Sequence, residues 1–93
     1  MRGILENLQQ GRIDRGRFTA NANAYFTQPA LDDYKQSLAP LGKLVVLSRQ
    51  SQQMRGGMTH LTYRAHFEEI TVAVNLYVTL DGKFEQFLVE EVF

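Results

Sequence analysis

His60 and His66 fall within one short stretch, HLTYRAHF, with Tyr63 and Arg64 between them. Imidazoles can hold a metal ion or move protons near neutral pH. Their spacing here works against doing either jointly. In an extended chain, six residues at about 3.3 Å each place the two rings roughly 20 Å apart. In a helix, six residues turn the chain by about 240°, and the rings diverge. Metal ligands on one strand face usually stand two residues apart, and Thr62 and Arg64 occupy those positions. Each histidine therefore reads as a half-exposed sheet residue, neither ligand nor general base.

The other chemically capable residues disperse in the same way. Asp32 and Asp33 are adjacent on an expected helix, so their carboxylates diverge, and they read as favourable charge near its positive end. Glu68-Glu69 and Glu90-Glu91 are neighbours in or beside strands and face opposite sides. Gly56-Gly57 lacks phosphate-loop spacing and a following lysine. Arg12, Arg15 and Arg17 form a small basic patch that reads as a solvated connection. No Ser-x-x-Lys motif or Gly-x-Ser-x-Gly elbow occurs. With no cysteine there is no disulfide, thiolate metal site or thiol nucleophile, and this absence fixes no compartment. The expectation is a chain without catalytic, cofactor-binding or metal-ligating residues.

Length and composition set the frame for the elements that carry these residues. Ninety-three residues, 44% hydrophobic and 22% charged, suit one ordinary globular domain. The formal net charge is zero, which argues against a nucleic-acid partner. Charge is nonetheless uneven: residues 1–64 hold nine Arg/Lys and four Asp/Glu, and residues 65–93 hold one Lys and six acids. The two parts are expected to neutralise each other within the domain, with a polar self-association surface as the alternative. No apolar run approaches the roughly 18–20 residues of a membrane span, no signal-peptide pattern is seen, and no membrane partner is expected. MRGILENLQQ reads as the remnant of a helix, as in a domain trimmed from a longer protein.

The hydrophobic period is helical in the first half. Ile4, Leu5 and Leu8 share a face, and Gly11 can stop that helix. FTANANAYF reads as a helical turn offering Phe18, Ala22 and Tyr25 or Phe26 to the core. Thr27 can cap a further helix with Pro29 in its first turn, along which Leu31, Tyr34, Leu38 and Leu41 form a stripe closed by Pro40 and Gly42.

The second half changes to a period of two. KLVVLSRQSQQM reads as a strand and RGG as a turn. In the next strand Met58, His60, Thr62, Arg64 and His66 face one side, and Leu61, Tyr63, Ala65 and Phe67 the other. A two-residue loop at Glu68-Glu69 pairs Ala65 with Val72, Tyr63 with Val74 and Leu61 with Leu76. Glu-Glu suits a primed turn poorly, so a four-residue loop of equal parity is the alternative. In LDGK, Asp-Gly suits the positive φ angles of a type I′ turn. KFEQFLVEEVF breaks its alternation, which implies either a bulge near residues 86–88 or a strand covered on both faces; the second is preferred.

Helices followed by a four-stranded antiparallel sheet make an α+β domain. With NAYFTQPALDDYKQSLAPLG before RGGMTHLTYRAHF and YVTLDGKFEQFLV, the chain resembles the nuclear transport factor 2-like (cystatin-like) fold from about Leu5 onward. More narrowly, it is similar to small bacterial domains appended to β-lactamase-like serine hydrolases. That resemblance implies a curved sheet around the helices, frequent dimerisation through its outer face, and an exported bacterial setting. It also implies a cavity that in some relatives binds small molecules or carries acid–base chemistry. The first helix is shorter than in the catalytic relatives, and the inward strand positions carry no Asp, Glu or His. Cystatin-type inhibition fits badly, since neither a Gln-x-Val-x-Gly loop nor a tryptophan is present.

The leading expectation is thus a non-catalytic accessory domain, a homodimer or docked to a covalently linked hydrolase domain. Thr62, Arg64, Asn75, Tyr77 and Phe87 are its candidate interface, with Glu85, Glu90 and Glu91 as partner charges for Arg64 or Arg49. The alternative is a small-molecule pocket or isomerase-like protein using Tyr25, Tyr34 and Tyr63. A regulator of a partner hydrolase is a third.

Overall fold

The computed structural model describes residues 1–91 of the chain. Three α-helices, α1 (Arg2–Gln9), α2 (Ala20–Tyr25) and α3 (Gln28–Leu38), precede four strands, β1 (Leu44–Arg55), β2 (Met58–Phe67), β3 (Thr71–Val78) and β4 (Phe84–Glu91). The strands form one antiparallel sheet in the order β1-β2-β3-β4. The helices cover one face of it, an α+β arrangement.

Local chemistry explains the helix limits. Gly11, at φ 72°, ends α1, and its N–H donates to the Leu8 carbonyl at 3.0 Å. The Thr19 hydroxyl caps α2 by accepting from Ala22 N–H at 3.1 Å, and Thr27 caps α3 from Ala30 N–H at 3.4 Å. Asp32 and Asp33 lie beyond the first turn of α3, and Asp32 accepts from the Gln28 amide at 2.9 Å. They therefore stand outside the turn where the helix's positive end acts, contrary to the expectation for them.

Ile4, Leu5 and Leu8 of α1, Phe18, Ala22 and Phe26, and Leu31 and Leu38 of α3 pack on Leu44, Ala65, Phe67, Val72, Val74, Leu76 and Phe84. The β2–β3 register places Ala65 opposite Val72, Tyr63 opposite Val74 and Leu61 opposite Leu76, the pairing expected from hydrophobic matching. The loop is the two-residue one: Phe67 N–H donates to the Ile70 carbonyl at 2.9 Å. Glutamates suit it because they tie down a neighbour. Glu68 and Glu69 N–H groups donate to the Lys43 and Leu41 carbonyls, both at 3.0 Å, and the Glu68 carboxylate accepts from Lys43 N–H at 2.7 Å. Gly42, at φ 81°, lets the chain pass under that carboxylate; a Cβ there would stand 2.7 Å from the Glu68 carboxylate oxygen.

The turns and the last strand differ from expectation. Positive φ at both central residues, the type I′ requirement, occurs at Gly56 (58°) and Gly57 (82°) in the β1–β2 hairpin. In the β3–β4 turn only Gly82 has positive φ, at 84°, and Thr79 N–H reaches the Lys83 carbonyl at 2.8 Å. This is a wider loop closed by a left-handed glycine, not a type I′ turn at Asp81-Gly82. In β4, Phe84 pairs with Val78 and Gln86 with Tyr77, so Glu85 is an extra, bulged residue. The bulge, and not a strand covered on both faces, accounts for the broken alternation. It turns Phe84, Phe87 and Val89 toward the helices and leaves Leu88 51% exposed on the outer face. Val92 and Phe93 lie outside the described residues.

Phe67 is a packed aromatic site at 5% exposure, and Phe67→Ala is expected to destabilise by about 3–5 kcal/mol in denaturant melts. Gly42→Ala should cost more than about 1 kcal/mol, from left-handed strain and displacement of the Glu68 carboxylate. Glu68→Ala in the same background should recover part of that loss.

Candidate functional site

The outer sheet face is built in rows. Opposite residues across the strands are Val46, His66 and Thr71; Ser48, Arg64, Ala73 and Glu90; Ser51, Thr62, Asn75 and Leu88; and Gln53, His60, Tyr77 and Gln86. Thr62, Arg64, Asn75 and Tyr77 are thus brought onto one face, as the period-two pattern requires. Two bulges in β1, at Val45 and Gln50, keep its own side chains in step with the rows.

Side chains within the face are held by their neighbours. The His60 and Tyr77 rings stack at 4.7 Å with 19° between planes. Ser51 and Thr62 hydroxyls are hydrogen bonded at 2.6 Å, and His66 Nδ1 lies 2.8 Å from the Thr71 hydroxyl. The two histidines serve separate rows with Thr62 and Arg64 between them. Among the described residues, no group of three or more His, Asp or Glu converges on one point.

Phe87 is not part of this face. It is directed inward, its ring 6.3 Å from that of Phe18, because the Glu85 bulge reverses the parity of β4. Leu88 takes its place outside, beside Asn75. Glu85 is also diverted from its expected role as a charge for Arg64: its carboxylate accepts from the Asn21 amide of α2 at 3.2 Å. Glu90 does lie in the Arg64 row, one strand removed.

The three tyrosines named as pocket candidates separate. Tyr34 of α3 is half-buried between two hollows that open beside β4. One, of about 440 Å³, has Asp33, Tyr34, Ser37, Ile70, Val89 and Glu90 among its walls. The other, of about 380 Å³, is bordered by Tyr25, Phe26, Tyr34, Phe87 and Leu88. Tyr25 borders the second hollow from outside, 79% exposed. Tyr63 is on the helix-facing side of β2 and borders neither. Asp33 and Glu90 were missed as a pair because they sit 57 positions apart (90 − 33) on different elements. Only the bulge, visible as broken alternation, hinted at what β4 presents. No buried polar or charged residue occurs among those described, and the walls mix apolar side chains with Asp33, Ser37 and Glu90 in the first hollow and with Glu85 and Gln86 in the second.

Burial of Tyr34 holds its phenol above the usual tyrosine pKa. A folded-state pKa raised above the unfolded value contributes stability that is full below about pH 10 and is lost as pH rises through the folded value. Stability should therefore fall on alkaline titration, and Tyr34→Phe should flatten part of that fall, as read by denaturant midpoints between about pH 9 and 11.5. Compared with protein-family models, curated proteins and solved structures, the chain matches none of them.

Proposed function

We propose that the chain is a non-catalytic interaction domain that associates through the outer face of its sheet, either with a second copy or with a linked hydrolase domain. The observation that carries this is the composition of that face. Its central rows hold a guanidinium, hydroxyls, an amide and a stacked His60–Tyr77 pair, with Leu88 and Val46 exposed beside them. Interfaces favour aromatic and arginine anchors among neutral polar groups.

The Arg64–Ala73–Glu90 row adds self-complementarity. Arg64 and Glu90 stand two strand spacings apart, roughly 10 Å. A two-fold axis near Ala73 would set Arg64 of each copy against Glu90 of the other. The order of three helices followed by four antiparallel strands supports the resemblance to nuclear transport factor 2-like (cystatin-like) domains.

Sedimentation of the isolated domain at high micromolar concentration should show a dimer. Arg64→Glu should shift it to monomer, and Arg64→Glu with Glu90→Arg should restore association. A monomeric wild type, or a dimer indifferent to the single reversal, would rule out the homodimer.

A further inference from the structure

The two edges of the sheet are finished differently. At β1, bulges at Val45 and Gln50 interrupt the edge, and the Arg2 guanidinium donates to the Leu44 and Val45 carbonyls at 2.6 and 3.0 Å. At β4, the described backbone contact is a single parallel bridge from Phe18 to Phe84, with Thr19 N–H donating to the Phe84 carbonyl at 3.0 Å. The chain then turns away into α2. From Glu85 to Glu90 the outward amide groups of β4 face no further strand among the described residues. An edge of this kind is a template for strand addition.

What lies beside that edge is a trench. The two hollows meet at Tyr34 and follow β4 along its length, floored by Phe26, Phe87 and Val89. Asp33 stands on the helical rim and Glu90 on the strand rim, and no lysine or arginine borders either hollow among the described residues. Side chains of β4 alternate across the edge, with Phe87 and Val89 toward the trench and Gln86, Leu88 and Glu90 toward the outer face.

We propose that the β4 edge binds an extended segment of a partner polypeptide as a fifth strand, one in which apolar residues alternate with basic ones. The backbone supplies affinity through the unpaired amides, and the alternation supplies specificity. Inward side chains enter the apolar trench. Outward ones run beside Glu90 on the outer-face side of the edge, where lysine or arginine finds complementary charge. Six residues, Glu85 to Glu90, span about 20 Å, the length of an ordinary strand. This site uses the edge of the sheet and not its face, so it does not depend on Arg64.

Fluorescence anisotropy with a dye-labelled heptapeptide of alternating valine and lysine tests it, alongside an alternating valine–glutamate peptide and the lysine peptide with alternate amides N-methylated. Saturable binding is expected for the unmodified lysine peptide alone. Tyr25→Ala and Glu90→Lys should each weaken it by roughly three- to tenfold. Tyr25 is exposed enough for its removal to leave the fold intact. Arg64→Glu should leave binding unchanged, and hydrogen exchange should slow at the β4 amides on binding. No saturation up to millimolar peptide, equal binding of the glutamate peptide, or retained binding of the N-methylated one would overturn the proposal. Loss of binding in Arg64→Glu with β4 exchange unchanged would also overturn it, moving the peptide to the outer face.

Discussion

The ring of Phe18 sits where the helical layer meets the last strand, 5.1 Å from Phe26, 5.4 Å from Phe84 and 6.3 Å from Phe87. Four aromatic rings packed edge to face remove a large apolar area from water at one point. The backbone secures the same point through the Thr19–Phe84 hydrogen bond. Around it the connection from α1 is pinned: the Arg17 guanidinium lies 5.4 Å above the Phe84 ring, and Arg15 donates to the Phe26 carbonyl at 2.6 Å. The arginines that read as a solvated patch are in part fasteners. With Phe26 fixed, its ring meets Tyr34 at 5.8 Å, and both hollows follow from where Tyr34 stands. Every later feature of the helix-facing side is thus referred to a contact between residues 18 and 84.

How far the fold is legible in the sequence depends on the element. The β2–β3 pairing is legible because both strands alternate without interruption, so one register satisfies every apolar residue and a slip satisfies none. Helix ends are legible where a side chain or a glycine has one evident use, as at Gly11 and Thr27. β4 is less so. A bulge shifts parity by one residue, and the sequence signals only that something is out of step, so the covered strand preferred for KFEQFLVEEVF proves to be a kinked one. The Asp81-Gly82 turn fails for a related reason. Asp-Gly serves both a two-residue primed turn and a wider loop ending in a left-handed glycine, and backbone strain alone separates them.

The candidate surfaces divide in the same manner. The outer face follows from periodicity, so Thr62, Arg64, Asn75 and Tyr77 are placed correctly as neighbours, and Phe87 is misplaced only through the bulge. The trench is assembled from α2, α3 and β4, whose approach depends on the aromatic cluster. No local pattern reports that Asp33 and Glu90 face each other across it. Glu68 is the converse case, a poor turn residue by local rules that is explained once its carboxylate is seen holding the start of β1.

The Arg2 clamp has a consequence for how this sheet can grow. A sheet with two open edges can add strands at both ends and propagate without limit, as fibrils do. Here β1 is bulged and its first carbonyls are occupied by a guanidinium, so strand addition at that edge is disfavoured. Between copies of this chain, β1 would thus be a poorer acceptor for a further strand than β4.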